Sequence, residues 1–165
     1  MCKAGLTMIL LLSLMLTGAV YAQTKLSGEL KCEKAQPVYT LAVGDRPDHT
    51  FSIGKIKCTS ARAFEIEGLK FVSEEVTFFR ELTGGKVRAQ GRNVGMMSNG
   101  DKYYVSTQIS GTEKNDAIQS SEVKWTYNGG TGKLQGLTGK GTSKCKGTPD
   151  GGSICVVEGE YQIKK

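Results

Sequence analysis

Histidine is nearly missing from this chain: His49 is the one imidazole in 165 residues. It stands in the loop Gly44-Asp45-Arg46-Pro47-Asp48-His49-Thr50, next to Asp48. Serine triads need a histidine base, so that chemistry could only run through this loop, where an adjacent Asp-His pair is ordinary solvated sequence. A Gly-x-Ser-x-Gly nucleophile elbow is missing too. No two cysteines stand at the close gap of structural zinc sites, and one histidine cannot complete a ligand set, so no metal is expected. Asn128-Gly129-Gly130-Thr131-Gly132-Lys133-Leu134 has the glycines of a phosphate loop. Tyr127 replaces one required glycine and Leu134 the required Ser or Thr, so the segment reads as a tight turn and no cofactor is implied. Paired carboxylates do not fill the gap. Glu65 and Glu67 alternate with Phe64 and Ile66, and Glu158 and Glu160 with Val157 and Tyr161. The apolar partners claim the core face and the acids point outward, whereas glycosidase carboxyls must face one another across a cleft.

Long apolar runs are confined to the N-terminus. Lys3, the run Leu6 to Leu16 and the small residues ending at Ala22 form a secretory signal pattern, with Gln23 beginning the mature chain. Thr17, Gly18 and Gln23-Thr24-Lys25 arrive too early for a membrane span of about 20 residues, and no cysteine follows for a lipid anchor. The expected organisation is residues 1–22 as a removed signal and residues 23–165 as one domain, secreted or periplasmic, with no membrane span after cleavage. Lys3 leaves with the signal, lowering the formal charge from +6 to +5. The remaining basic residues are scattered along the sequence without a dense block, so no nucleic-acid partner is expected. Nothing in the sequence sets the oligomeric state.

Four cysteines stay in the mature chain: Cys32, Cys58, Cys145 and Cys155. An even count in an exported chain favours disulfides. The turn Thr148-Pro149-Asp150-Gly151-Gly152 lies midway between Cys145 and Cys155, in a hairpin register that sets them opposite one another and within disulfide reach. Cys32 and Cys58 then pair by exclusion.

The mature chain reads as strands. Tyr103, Val105, Thr107 and Ile109 share one face, and Val123, Trp125 and Tyr127 another. Further strands are expected over Val38–Val43, Thr50–Lys57, Ala63–Ile66, Leu69–Arg80, Lys86–Met97, Lys133–Leu137, Gly139–Lys146 and Ser153–Ile163. Ser73–Leu82 is the best helical candidate, but its Val-Thr-Phe-Phe core favours a strand. Thr83-Gly84-Gly85, Asn128-Gly129-Gly130 and Asn99-Gly100 mark turns. Many short strands with hairpin turns at this length mean a sandwich or a barrel. Closure removes exposed edges, so the fold expected is all-β, a single antiparallel closed barrel of about eight strands.

A tight Asn99-Gly100 turn would set Tyr103 against Met96, Val105 against Val94, Thr107 against Arg92 and Ile109 against Gln90. Arg92 and Gln90 would then face the lumen. A β-bulge near Gly91 or Gly95 would instead bring Val87 and Ala89 inside and leave the charge in water, which is the better solution. Arg92, Tyr103, Thr107, Trp125 and Tyr127 form the candidate ligand site.

Asn99-Gly100-Asp101-Lys102-Tyr103, Gly129 to Thr142, the Pro149-Asp150-Gly151 turn and Glu158-Gly159-Glu160-Tyr161 resemble a family of small exported bacterial proteins of unassigned function. The Gly-Thr-Gly-Lys-Leu run is also similar to the allene oxide cyclase and dirigent group of eight-stranded barrels. The resemblance spans residues 48–161 and implies a barrel with an apolar lumen. No catalytic residue of either group matches a position here. The expected function is binding of a small apolar or aromatic ligand in the lumen. The alternatives are a cofactor-free isomerase- or cyclase-like enzyme using Arg92 or His49, and a structural or inhibitory envelope protein with a filled lumen.

Overall fold

The computed structural model describes residues 23–115 and 117–164, so the signal segment lies outside the described residues. Ten strands follow one another: β1 (Thr24–Cys32), β2 (Val38–Ala42), β3 (Thr50–Arg62), β4 (Glu65–Ile66), β5 (Leu69–Thr83), β6 (Lys86–Met97), β7 (Lys102–Lys114), β8 (Ala117–Gly130), β9 (Leu137–Gly147) and β10 (Ser153–Ile163). Every pairing is antiparallel. Consecutive hairpins carry β5 through β10, β10 pairs with β1, β1 with β3, and β3 with β5, closing an eight-stranded barrel with β2 and β4 outside the ring. No helix among the described residues is long and apolar enough to cross a membrane.

Alternation explains the interior. Cys155, Val157 and Tyr161 are buried on β10, as are Leu26 and Leu30 on β1, and Tyr103, Val105 and Thr107 on β7. The helical alternative over Ser73–Leu82 gives way to β5, whose Val76 and Phe78 point in while Phe79 points out. Cys145 sits opposite Cys155 and Cys32 opposite Cys58, and both pairs are disulfides. These two bonds suit an oxidising environment.

Two expectations need correction. Lys133–Leu137 does not form a strand: Gly132, at φ 52°, turns the chain into a short 3-10 segment, Gly132–Leu134, whose Leu134 drops into the core. The Asn99-Gly100 turn has three residues between its closing pair, not two. The Met97 N–H donates to Asp101 O at 2.9 Å, the Gly100 N–H donates to Met97 O at 2.9 Å, and Gly100 takes φ 87°. That is a type I turn with a left-handed bulge residue. The extra residue shifts the register, so Tyr103 faces Gly95, Val105 faces Asn93, Thr107 faces Gly91 and Ile109 faces Ala89. Val87 and Ala89 are thereby inside, through a bulge in the turn rather than one near Gly91 or Gly95.

One end of the barrel is plugged by Leu134, Leu137, Ile66, Met97 and Phe71. At the other end the inner face turns polar, with Ser52, Arg80 and Glu113.

Candidate functional site

Between these ends the lumen retains a cavity of about 180 Å³. Its wall is mostly apolar: Val76, Phe78, Val105, Val157, Trp125 and the two disulfides contribute to it. Set in that wall is a carboxyl. Glu74 is buried on β5, in phase with Val76, because a register shift between Phe71 and Ser73 resets the alternation. It faces Gly95 on β6, which in turn faces Tyr103 on β7. Gly95 has no side chain, so the Tyr103 ring crosses it. A Cβ there would overlap the ring. The Tyr103 hydroxyl donates to Glu74 Oε2 at 2.8 Å, and Asn93 Nδ2 donates to Oε1 at 2.8 Å. Thr107 Oγ1 lies 3.5 Å from Asn93 Oδ1 and extends the chain of polar groups.

Burial pushes the Glu74 carboxyl above its ordinary range, against the pull of its hydrogen bonds from Tyr103 and Asn93. The Tyr103 and Tyr127 phenols are also pushed up, first by burial and then by the nearby Glu74 charge. The lumen therefore favours neutral groups. Tyr127 meets Tyr103 edge-on at 5.4 Å between ring centroids and Trp125 at 5.1 Å, continuing an aromatic wall from the polar chain. Trp125 lies flat against Gly141 and Gly159, where a Cβ at either would overlap the indole.

Of the residues nominated by sequence, Tyr103, Thr107, Trp125 and Tyr127 come together around this cavity. Arg92 does not. It faces Ser106 and is exposed on the outer surface, because the three-residue turn puts it out of phase with the lumen. His49 also lies outside the cavity wall. It is buried under the β2–β3 loop, with Nδ1 2.6 Å from Asp45 Oδ1 and Nε2 3.1 Å from Glu81 Oε1. The hydrogen bond with His49 holds the Asp45 carboxyl below its usual range. The loop pair that matters to this histidine is thus Asp45, not its neighbour Asp48.

Sequence reasoning missed Glu74 and Asn93, and also the ion pair at the polar end, where Arg80 Nη1 donates to Glu113 Oε2 and Nη2 donates to Ser52 Oγ at 3.3 Å. A signal was present: Glu74, Val76, Phe78 and Arg80 follow at period two, an apolar stripe with an acid and a base in it. Among the described residues no cluster of His, Cys, Asp and Glu could hold a metal.

No protein-family model matches this chain, and no curated protein matches it. Solved structures similar to it include a pterocarpan synthase dirigent protein, with a TM-score of 0.50 and 14% identity over 87% of this chain and 90% of that one. The barrel is dirigent-like in fold. A conserved protein of unknown function from Rhodopseudomonas palustris gives a TM-score of 0.49 at 10% identity, over 85% of this chain and 98% of that one. Likeness at such identity speaks to fold alone.

Proposed function

We propose that this is an exported binding protein that takes a small, neutral, single-ring aromatic or apolar molecule into its lumen. The observation that carries the reading is a cavity of about 180 Å³ whose mostly apolar wall holds a buried, hydrogen-bonded carboxyl and the short polar chain around it. A dry apolar cavity of about 150 Å³ accepts benzene, whereas drug-sized ligands need about 300 Å³ or more. Size therefore selects a single ring, and the polar chain from Glu74 to Thr107 offers its substituent a partner. The retained space favours this over the filled lumen of a purely structural envelope protein. Export rests on the N-terminal pattern together with the two disulfides.

The reading is tested with toluene and p-cresol, following the fluorescence of Trp125, the chain's one tryptophan, alongside native mass spectrometry. Saturable 1:1 binding is expected for the purified protein, and at least tenfold weaker binding for Val157→Phe, which fills the cavity from β10. Absence of saturable binding to either probe would overturn the proposal.

The enzyme alternative loses the groups first nominated for it, since Arg92 and His49 both lie outside the lumen. Glu74 is the group left to move a proton. Conversion of a bound phenol that disappears in Glu74→Gln, while binding persists, would favour that reading.

A further inference from the structure

Basic residues that are scattered along the sequence converge on one outer face. On β6, Lys86, Arg88 and Arg92 point outward; on β9, Lys140, Lys144 and Lys146 do the same. Between them β8 adds Lys124 and the acid Glu122, while β7 carries outward charge only near its ends, at Lys102 and Lys114, its Glu113 being turned inward against Arg80. None of these cations forms an ion pair among the described residues. The face holds more positive excess than the whole chain's +6, so the rest of the molecule is net acidic.

Register gives the face its shape. Arg92 opposes Ser106, Ser106 opposes Thr126, and Thr126 opposes Lys140. Three strand spacings separate Arg92 from Lys140, about 14 Å. The next rows repeat the plan: Gln90, Gln108, Lys124 and Thr142, then Arg88, Ser110, Glu122 and Lys144. Cations thus stand on two rims, β6 and β9, with hydroxyls and amides on most of the floor between them. The surface forms an open hollow around Arg92, Lys124 and Lys140 that continues to Lys25, Glu158 and Glu160, while Arg88, Lys144 and Lys146 stand outside its lining. Beyond β9 the border turns acidic at Glu158 and at Glu160, which is bonded to Lys25 at 3.3 Å.

We infer that this trough binds a linear acidic polysaccharide, lying along β7 and β8 with carboxylate or sulfate groups reaching the two cationic rims. The rims supply charge complementarity, and the floor supplies donors and acceptors for sugar hydroxyls. A membrane surface would call for apolar anchors beside the cations, and single-stranded nucleic acid for aromatic stacking platforms. The floor from Ser106 to Thr112 offers neither, and the exposed Val94, Met96 and Tyr104 lie past Arg92, toward the Asn99-Gly100 turn. The two disulfides suit an oxidising environment, in which such glycans occur.

The test uses size-defined heparin and polygalacturonate oligosaccharides in calorimetry, with neutral dextran as control. Both acidic glycans are expected to bind and dextran not to, with affinity falling steeply as NaCl rises. The triple variant Lys140→Gln, Lys144→Gln, Lys146→Gln should weaken binding at least tenfold. Lys55→Gln with Lys57→Gln, exposed on β3, should change it less than twofold. The inference is overturned if neither acidic glycan binds, if the β3 variant loses as much as the β9 variant, or if oligo-dT or phosphatidylglycerol vesicles bind more tightly than the glycans.

Discussion

Both carboxyl oxygens of Glu74 accept from neutral donors, Asn93 and Tyr103, so ionisation would put a charge in the lumen with no cation against it. Burial accordingly raises the pKa of this carboxyl in the folded protein. Between the unfolded and the folded pKa the folded state binds more protons than the unfolded state, and stability falls as pH rises through that window. Glu74→Gln keeps the shape and cannot ionise. Its urea midpoint should decline less than that of the parent protein as pH rises above about 4, the ordinary range of a glutamate; parallel declines would show that Glu74 does not carry the effect. Gly95 permits the contact by letting the Tyr103 ring pass. Gly95→Ala should cost about 1–3 kcal/mol by overpacking, read from chemical denaturation, and wild-type stability would contradict the crossing. Alternation alone found Tyr103, Thr107, Trp125 and Tyr127. It missed Glu74 because Leu69 and Phe71 before it run in the opposite phase, which masks the period-two stripe from Glu74 to Arg80; pairing with β6 places the reset between Phe71 and Ser73.

Hairpins were legible where side chains fixed the register and illegible where one residue in a turn decided it. Cys145 and Cys155 pinned β9 to β10, and the structure keeps that register to Ile163. The Asn99-Gly100 turn had no such pin. Asn99 and Asp101 bond to one another across it, Asn99 Nδ2 donating at 2.7 Å and the Asp101 N–H donating back at 3.0 Å. They stabilise a three-residue loop that dipeptide preference does not foresee, and Arg92 moved to the other face. The disulfides also differ in what they contribute. Cys32 and Cys58 are 26 residues apart, Cys145 and Cys155 only 10. Loop-closure entropy makes the longer link worth about 1 kcal/mol more, within a range of about 2–4 kcal/mol each. Replacing each pair by serine and comparing urea midpoints checks this; a larger loss for Cys145 and Cys155 would show that native contacts, rather than chain entropy, dominate.

Closure is the property that no local pattern carried. The hairpins β5 to β10 follow from turns and β1–β3 and β3–β5 skip only a short outer strand each, but the ring shuts through β10–β1, which joins the two ends of the described chain. The same geometry gathers cations from β6, β8 and β9 onto one face, which is why the charge looked diffuse when read in order. β10 is the strand with most at stake, since it lies between β1 and β9 and contributes Cys155, Val157 and Tyr161 to the lumen. A chain ending at Gly152 would lose those side chains and the second disulfide. It would also leave β1 and β9 with unpaired edges, which invite association between chains. Because contacts across a seam of this kind form only after a long loop has been closed, the remaining strands have no cheaper way to bury their inner faces. Such a truncation is expected to lack near-ultraviolet circular dichroism and a cooperative urea transition, and to elute as aggregate. A monomer that kept both signals would mean that the seven remaining barrel strands close without β10, and that the lumen is not defined by the seam.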